Sequence, residues 1–105
     1  MDPTEVAERL GELQLIDVRE PDEWEAGRIE GARHIPLGEI NDRIAEIDQS
    51  RPLVAVCRSG ARSGRVAEAL RANGYDAENL DGGMQAWELA GLPFSTPAGN
   101  PGAVV

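Results

Sequence analysis

The chain has 105 residues, the length of one small domain with a single modest core. Its net charge of −9 argues against nucleic acid and anionic membranes as partners. A single cysteine excludes an internal disulfide and a cysteine-rich zinc site, and the single histidine has no carboxylates arranged around it in the sequence. We therefore expect neither a metal nor a cofactor.

The sequence also lacks the segments that take a chain to or across a membrane. No apolar run approaches the ~18 residues of a membrane span, and the first residues do not form a basic, apolar signal peptide. We therefore expect a soluble cytoplasmic protein that acts as a monomer.

The first third of the chain predicts short elements in alternation. Asp2 and Pro3 predict a helix start, since aspartate caps helices and proline suits the first helical position. The largely apolar stretch 13–18 predicts a strand. A short helix over 21–27 and a brief extended segment over 32–36 follow.

The middle of the chain holds the clearest strand signal. Ile40, Ile44 and Ile47 recur at the spacing of an amphipathic helix. Residues 52–57 then form a continuous apolar run, which is typical of a central parallel strand buried on both faces.

The last third predicts three further elements and a tail. A helix follows the buried strand and ends at residues 73–74, a short strand lies within 77–83, and a final helix covers 84–91. Residues 95–105 contain proline and glycine without periodicity, and we expect a flexible tail there. Because strands alternate with helices, the pattern predicts an α/β fold with a mainly parallel sheet and helices on both faces.

The only cysteine lies where the buried strand gives way to a helix, within VAVCRSGARSGRVAEAL (54–70). A helix N-terminus favours negative charge, and Arg58, Arg62 and Arg65 add positive charge around Cys57. Gly60 allows the chain to curl so that successive amides point inward. We expect this loop to hold a sulfur anion together with an oxyanion, and the arginines to attract an anionic substrate to an acidic protein.

At these positions the sequence resembles the rhodanese family of sulfurtransferases. The matching stretches are LIDVREPDEWEAGRIEGARHIP, VAVCRSGARS, LRANGYDAENLDGGMQAW and GLP. The resemblance implies a rhodanese domain over residues 1–94, followed by the tail 95–105. It also implies a parallel sheet of about five strands flanked by helices. The family usually has a short edge strand before the first helix, and here only two residues precede Pro3.

The resemblance further implies a two-step reaction with small molecules as sulfur donor and acceptor. Cys57 takes a sulfane sulfur from thiosulfate or a similar donor and becomes a persulfide, which passes its outer sulfur to a thiophile such as cyanide. The predicted substrate-binding residues are those of the loop: Arg58, Ser59, Gly60, Ala61, Arg62 and Ser63. Asp17 and Arg19, at the end of the first strand, are predicted to have a supporting role, in which Asp17 accepts hydrogen bonds from nearby backbone and Arg19 ties neighbouring segments together.

Two other classes of function remain open. A persulfide carrier with a protein as sulfur acceptor would use the same cysteine, and a rhodanese-like binding module would need no chemistry at all. A phosphatase or arsenate reductase is disfavoured, because related phosphatases have Cys-x5-Arg whereas Arg62 follows Cys57 after four residues. The tighter loop suits one added sulfur better than a tetrahedral phosphate.

Overall fold

A four-stranded parallel sheet forms the centre of the molecule. The computed structural model describes all residues, Met1–Val105. The strands lie in the order β2-β1-β3-β4 and have the bounds β1 Gln14–Asp17, β2 Arg33–His34, β3 Leu53–Val56 and β4 Ala77–Asn79. The helices are α1 Pro3–Glu8, α2 Pro21–Ala26, α3 Ala61–Ala72 and α4 Gly83–Leu89.

Strand β3 lies between β1 and β4 and is buried along its whole length, as the apolar run predicts. Its side chains alternate between two cores. Leu53 and Ala55 share one core with Cys57 and the apolar face of α3. Val54 and Val56 share the other with residues of α1 and α4. The predicted α/β fold, with helices on both faces of a parallel sheet, is therefore confirmed.

The prediction of about five strands is wrong, because the edge beside β4 carries only a stub. The Met1 amine donates to the Asn79 carbonyl at 2.9 Å, and the Met1 carbonyl accepts from the Asp81 amide at 2.9 Å. Asp2 already caps α1 through the amide of Glu5, so the chain turns into a helix before a strand can form.

The isoleucine stripe does not form the predicted amphipathic helix. Residues 37–47 contain two short 3₁₀ turns, Leu37–Glu39 and Ile44–Glu46. Ile40 and Ile47 are nevertheless buried, in the core that contains Cys57 and the apolar face of α3. Tertiary packing decides the conformation here, because β-branched residues have only a weak preference for the helix. The isoleucine side chains can enter the core without a helical backbone.

The C-terminal residues follow a defined path along α2 and the residues after it. Ser95 exchanges both backbone hydrogen bonds with Arg28 at 2.9 and 3.1 Å, and the Ala103 amide donates to the Ala26 carbonyl at 2.8 Å. The mobility of residues 95–105 in solution stays a prediction. None of the helices has the length and apolar character needed to cross a membrane.

Candidate active site

Cys57 lies at the carboxyl end of β3, immediately before the loop that leads into α3. Gly60 precedes α3 with φ +97°, in the left-handed region that favours glycine. This is the curl that the sequence predicts. The start of the loop is held from the other side by α4, whose Met84 and Gln85 amides donate to the carbonyls of Cys57 and Arg58 at 2.8 and 3.0 Å. The loop is thus anchored at its first two residues.

Three donors surround the Cys57 sulfur. The Gly60 amide lies 3.1 Å from Sγ, the Ser63 amide 3.4 Å and the Ser63 hydroxyl 3.2 Å. Cys57 is only 1% exposed, so these donors act on the sulfur without competition from bulk water. Ser63 is itself fully buried, and its position in the first turn of α3 brings both its amide and its hydroxyl within hydrogen-bond distance of the sulfur.

The loop favours the anionic form of this sulfur. Burial is the largest single influence and raises the pKa of the Cys57 thiol. The hydrogen bonds from the Ser63 hydroxyl and from the amides of Ser63, Gly60 and Ser59 outweigh it, so the pKa is lowered overall. Hydrogen-bond donors are the main reason for the lowered pKa, and the electrostatic interaction of Cys57 with Arg62 is a smaller influence.

Arg62 is held by an acid that the sequence analysis did not identify. Its guanidinium forms two hydrogen bonds with the Glu23 carboxylate, at 2.8 and 2.9 Å. Hydrogen bonding from Arg62 lowers the pKa of Glu23, and hydrogen bonding from Glu23 raises the pKa of Arg62. The charge of Arg62 is therefore paired with that of Glu23 through a tertiary contact across 39 positions of sequence, and substrate binding by Arg62 stays a prediction.

The sequence around Glu23 indicates only a local role. Glu23 lies in the first turn of α2, where its side chain accepts from the Glu20 amide at 3.0 Å in a capping box. A helix that begins at Pro21 already suggests this contact. Nothing in the pattern indicates that the other lone pairs of the carboxylate face Arg62.

The other two arginines differ from Arg62 and from each other. Arg58 and Arg65 are both exposed, and neither takes part in an ion pair. Arg58 directly follows the cysteine, whereas Arg65 lies a turn into α3 beside a shallow groove lined by Ile40 and Ile44. Ser59 and Ala61 are exposed at the rim of the loop. Arg58 is therefore the arginine of the loop whose charge is not already paired.

Asp17 and Arg19 form a buried ion pair that ties β1 to α2. Arg19 is completely buried and donates to the Asp17 carboxylate at 2.8 and 2.9 Å. It also donates to the carbonyls of Glu23 and Gly27, at 3.2 and 2.8 Å. Through Glu23 this network is connected to Arg62 and the loop. Neither residue forms a hydrogen bond with the sulfur, and their supporting role in the site stays a prediction.

Asn79 is a second site residue that the sequence analysis did not single out. It ends β4, the strand beside β3, and its side chain bridges the loop. Its Nδ2 donates to the Gly60 carbonyl at 3.0 Å, and its Oδ1 accepts from the Ser63 hydroxyl at 2.5 Å. The available signal was its place at the carboxyl end of a strand, where sites in parallel sheets form.

The site has the chemistry of an anion pocket around a thiol. No group of three or more histidine, cysteine, aspartate or glutamate side chains is placed to hold a metal ion. What the site offers instead is one thiol of lowered pKa, inward amides, a hydroxyl and an exposed arginine. This set can stabilise a sulfur anion and, next to it, an incoming oxyanion.

Fold and sequence together define the class of protein. The model of the rhodanese-like domain matches residues 2–90, and the chain belongs to this family. A rhodanese-related protein from Thermoplasma volcanium superposes with a TM-score of 0.87 at 26% identity, covering 90% of this chain and 95% of that one.

Three curated relatives illustrate the range of similarity. An uncharacterized protein of Bacillus subtilis, YqhL, is 49% identical over 70% of this chain and 60% of its own length. A sulfurtransferase of Allochromatium vinosum is 38% identical over 94% of this chain and 96% of its own length. The thiosulfate sulfurtransferase GlpE of Pseudomonas fluorescens is 35% identical over 94% and 93%. The chain thus spans less than two thirds of YqhL and nearly all of the other two.

Proposed function

We propose that this protein is a sulfurtransferase that carries a sulfane sulfur on Cys57 as a persulfide, with thiosulfate or a similar compound as donor. The observation that carries the proposal is the buried Cys57 sulfur held by three donors from Gly60 and Ser63. Such a pocket keeps a thiolate ready without a general base. The similarity to two sulfurtransferases over nearly their whole length supports the same reaction class.

The first step joins the Cys57 sulfur to the outer sulfur of thiosulfate. The thiolate attacks that sulfur, an S–S bond forms to Sγ, and the bond between the two thiosulfate sulfurs breaks. The electron pair of the broken bond leaves with sulfite. In this step Arg58 orients the sulfonate oxygens, a role supported by its exposed and unpaired position beside the cysteine.

The second step returns the cysteine to its starting form. The carbon of cyanide, or another thiophile, attacks the outer sulfur of the persulfide. A bond to the acceptor forms, the S–S bond breaks, and its electron pair restores the Cys57 thiolate. The inward amides of Ser59, Gly60 and Ser63 stabilise the sulfur anion throughout, since they are fixed before the reaction begins.

Intact mass spectrometry tests the proposal directly. Protein incubated with thiosulfate should gain the mass of one sulfur atom, and cyanide should remove it. Protein whose cysteine has first been alkylated is the control and should gain nothing. No mass gain with thiosulfate would contradict the donor. A persulfide that forms but turns over slowly with cyanide would point to a protein as the natural acceptor.

The rate of sulfur loading should rise with pH and level off below the ordinary thiol pKa of about 8.5. The reason is the lowered pKa of Cys57, which makes the reactive thiolate predominant already at lower pH. Below that lowered pKa the thiol is protonated and the rate should fall. Stopped-flow loading rates between about pH 5 and 9 give the profile. A rate that climbs steadily through the range would contradict the expectation.

Arg58→Ala and Arg62→Ala should have different effects because only Arg62 is paired. Arg58→Ala should lower kcat/KM for thiosulfate about tenfold without changing stability, since it removes a charged hydrogen-bond donor from the surface. Arg62→Ala should also lower kcat/KM, and unlike Arg58→Ala it should lower the free energy of unfolding by about 1–3 kcal/mol. The reason is that it leaves the mostly buried Glu23 carboxylate without its partner. Thiosulfate kinetics and thermal melts measure both.

The double variant Glu23→Gln/Arg62→Ala is the matched control for this comparison. It removes both charges, so it should recover part of the stability that Arg62→Ala loses. If Arg62→Ala is as stable as the parent protein, the pair with Glu23 does not hold the loop in the way the distances indicate.

A cytoplasmic location and a monomeric state are also part of the proposal. Cys57 is free and must stay reduced to act, which the cytoplasm ensures. Light scattering on the purified protein measures the oligomeric state.

A further inference from the structure

The Ser63 hydroxyl faces two acceptors but has one proton to donate. Cys57 Sγ lies 3.2 Å from Ser63 Oγ on one side, and Asn79 Oδ1 lies 2.5 Å away on the other. A hydroxyl donates one hydrogen bond and accepts others through its lone pairs. A bond to Asn79 and a bond to the sulfur anion are therefore mutually exclusive uses of the same proton.

The orientation of the Asn79 amide group determines which of its atoms faces the Ser63 hydroxyl. Asn79 Nδ2 donates to the Gly60 carbonyl at 3.0 Å, and a carbonyl can only accept. The amide group must therefore present Oδ1, which also only accepts, to Ser63. The short Ser63–Asn79 distance lies at the lower end of the range for O–H···O hydrogen bonds, so Asn79 is a strong competitor for the proton.

We propose that Asn79 is a positioning residue that directs the Ser63 hydroxyl proton away from Cys57 in the thiol state and so opposes formation of the sulfur anion. The inference rests on the proposed function only in taking that anion as the reactive species. Asn79 does not touch the sulfur, and its effect passes through Ser63.

Two hydrogen-bond arrangements follow. In the thiol state the Cys57 S–H donates to Ser63 Oγ, and the Ser63 O–H donates to Asn79 Oδ1. On ionisation the Cys57 proton leaves to solvent water, and the Ser63 hydroxyl rotates to donate to the sulfur anion. Asn79 Oδ1 then loses its partner. Loss of the hydrogen bond between Ser63 and Asn79 makes ionisation of Cys57 less favourable. This free-energy cost is absent when position 79 has no side-chain acceptor.

None of the charged groups around the sulfur forms a hydrogen bond with the Asn79 side chain. Arg62 interacts electrostatically with Cys57 and is paired with Glu23 of α2. Arg58 follows Cys57 in the chain and is exposed, and the first turn of α4 contains no acidic side chain. Asn79→Ala therefore removes the hydrogen bonds to the Ser63 hydroxyl and to the Gly60 carbonyl without adding or removing a charge.

The experiment is a double-mutant cycle on Asn79→Ala and Ser63→Ala, read by the alkylation rate of the thiol with iodoacetamide against pH. Cys57 is the only thiol, so the rate reports on it alone. In the acid part of the profile, Asn79→Ala should raise the rate about three- to tenfold, because the hydroxyl is released to the sulfur anion. Ser63→Ala should lower the rate, and adding Asn79→Ala to it should produce no increase.

The direction in which Asn79→Ala changes the alkylation rate distinguishes competition for the Ser63 proton from a purely structural contact with Gly60. If Asn79→Ala slows alkylation, and does so equally with and without the Ser63 hydroxyl, Asn79 only holds Gly60 and the proposal is overturned. Asn79→Asp, of nearly the same size, serves as a second variant should the alanine variant fail to fold. Its carboxylate should slow alkylation more in the parent background than in Ser63→Ala, and equal slowing in the two would overturn the proposal.

These readouts do not depend on sulfur transfer. Alkylation requires no thiosulfate, so a protein that fails to load sulfur can still show the predicted cycle. Conversely, a protein that forms the persulfide normally can still lack any coupling between Asn79 and Ser63. Circular dichroism of each variant verifies that the fold is retained before rates are compared.

Discussion

Cys57→Ser is expected to abolish sulfur transfer from thiosulfate to cyanide while leaving the fold intact. A serine hydroxyl does not ionise in the accessible pH range and cannot form the persulfide, so the loss should be at least about 10³-fold. No other cysteine in the chain can substitute. Steady-state production of thiocyanate measures the loss.

The substitution should have little effect on stability. Serine is nearly isosteric with cysteine, and its oxygen can accept from the Gly60 and Ser63 amides that now face the sulfur. We therefore expect the free energy of unfolding to change by no more than about 1 kcal/mol. A denaturant titration checks this, and it separates a loss of chemistry from a loss of fold.

A matched control asks whether a thiol alone is sufficient. In the Cys57→Ser background, Ser50→Cys places one thiol on an exposed turn, where the present serine hydroxyl donates to the Asp48 carboxylate and accepts from no amide. That protein should remain inactive, because the sulfur anion is stabilised by the pocket and not by the chain at large. Substantial turnover by either variant would show that the loop is not the site of transfer.

Arg19→Met should produce the largest loss of stability among the variants considered. Arg19 is completely buried, and its removal leaves the Asp17 carboxylate, only 1% exposed, without its ionic partner. Breaking a buried ion pair from one side costs about 3–5 kcal/mol. In a protein of this size the midpoint of thermal unfolding should fall by more than about 10 °C.

Arg19→Met should also lower the activity, although Arg19 forms no hydrogen bond with the Cys57 loop. Arg19 donates to the carbonyls of Glu23 and Gly27, so it holds both ends of the segment that presents Glu23 to Arg62. Its loss should reduce thiosulfate turnover even at temperatures where the protein is folded. Activity assayed well below the melting midpoint measures this second effect.

Two control variants define the cause of the stability loss. Arg33→Met removes an exposed arginine that pairs with Glu46 at 3.2 Å, and it should change the free energy of unfolding by no more than about 1 kcal/mol. The double variant Asp17→Asn/Arg19→Met removes both buried charges and should be more stable than Arg19→Met alone. If it is not, the hydrogen bonds from Arg19 to α2 account for the loss rather than the unpaired carboxylate.

Local signals in the sequence predicted the elements that position the Cys57 thiol. The unbroken apolar run before Cys57 indicated a buried parallel strand, since only a strand covered on both faces needs no polar alternation. Gly60 indicated the left-handed turn that opens α3. The motif and its spacing indicated the family. Each of these signals lies within a few residues of the feature it predicts.

The tertiary structure alone decided which side chains complete the pocket. Glu23 reaches Arg62 across 39 positions, and Asn79 reaches Ser63 across 16. Local periodicity reports which face of an element is apolar, and it carries no information about which polar groups from distant elements meet. The same reason explains the isoleucine stripe at 40–47, which satisfies the core without forming a helix. The residues around Cys57 determined the kind of chemistry, and the packing of α2 and β4 against the loop determined how its charges and protons are arranged.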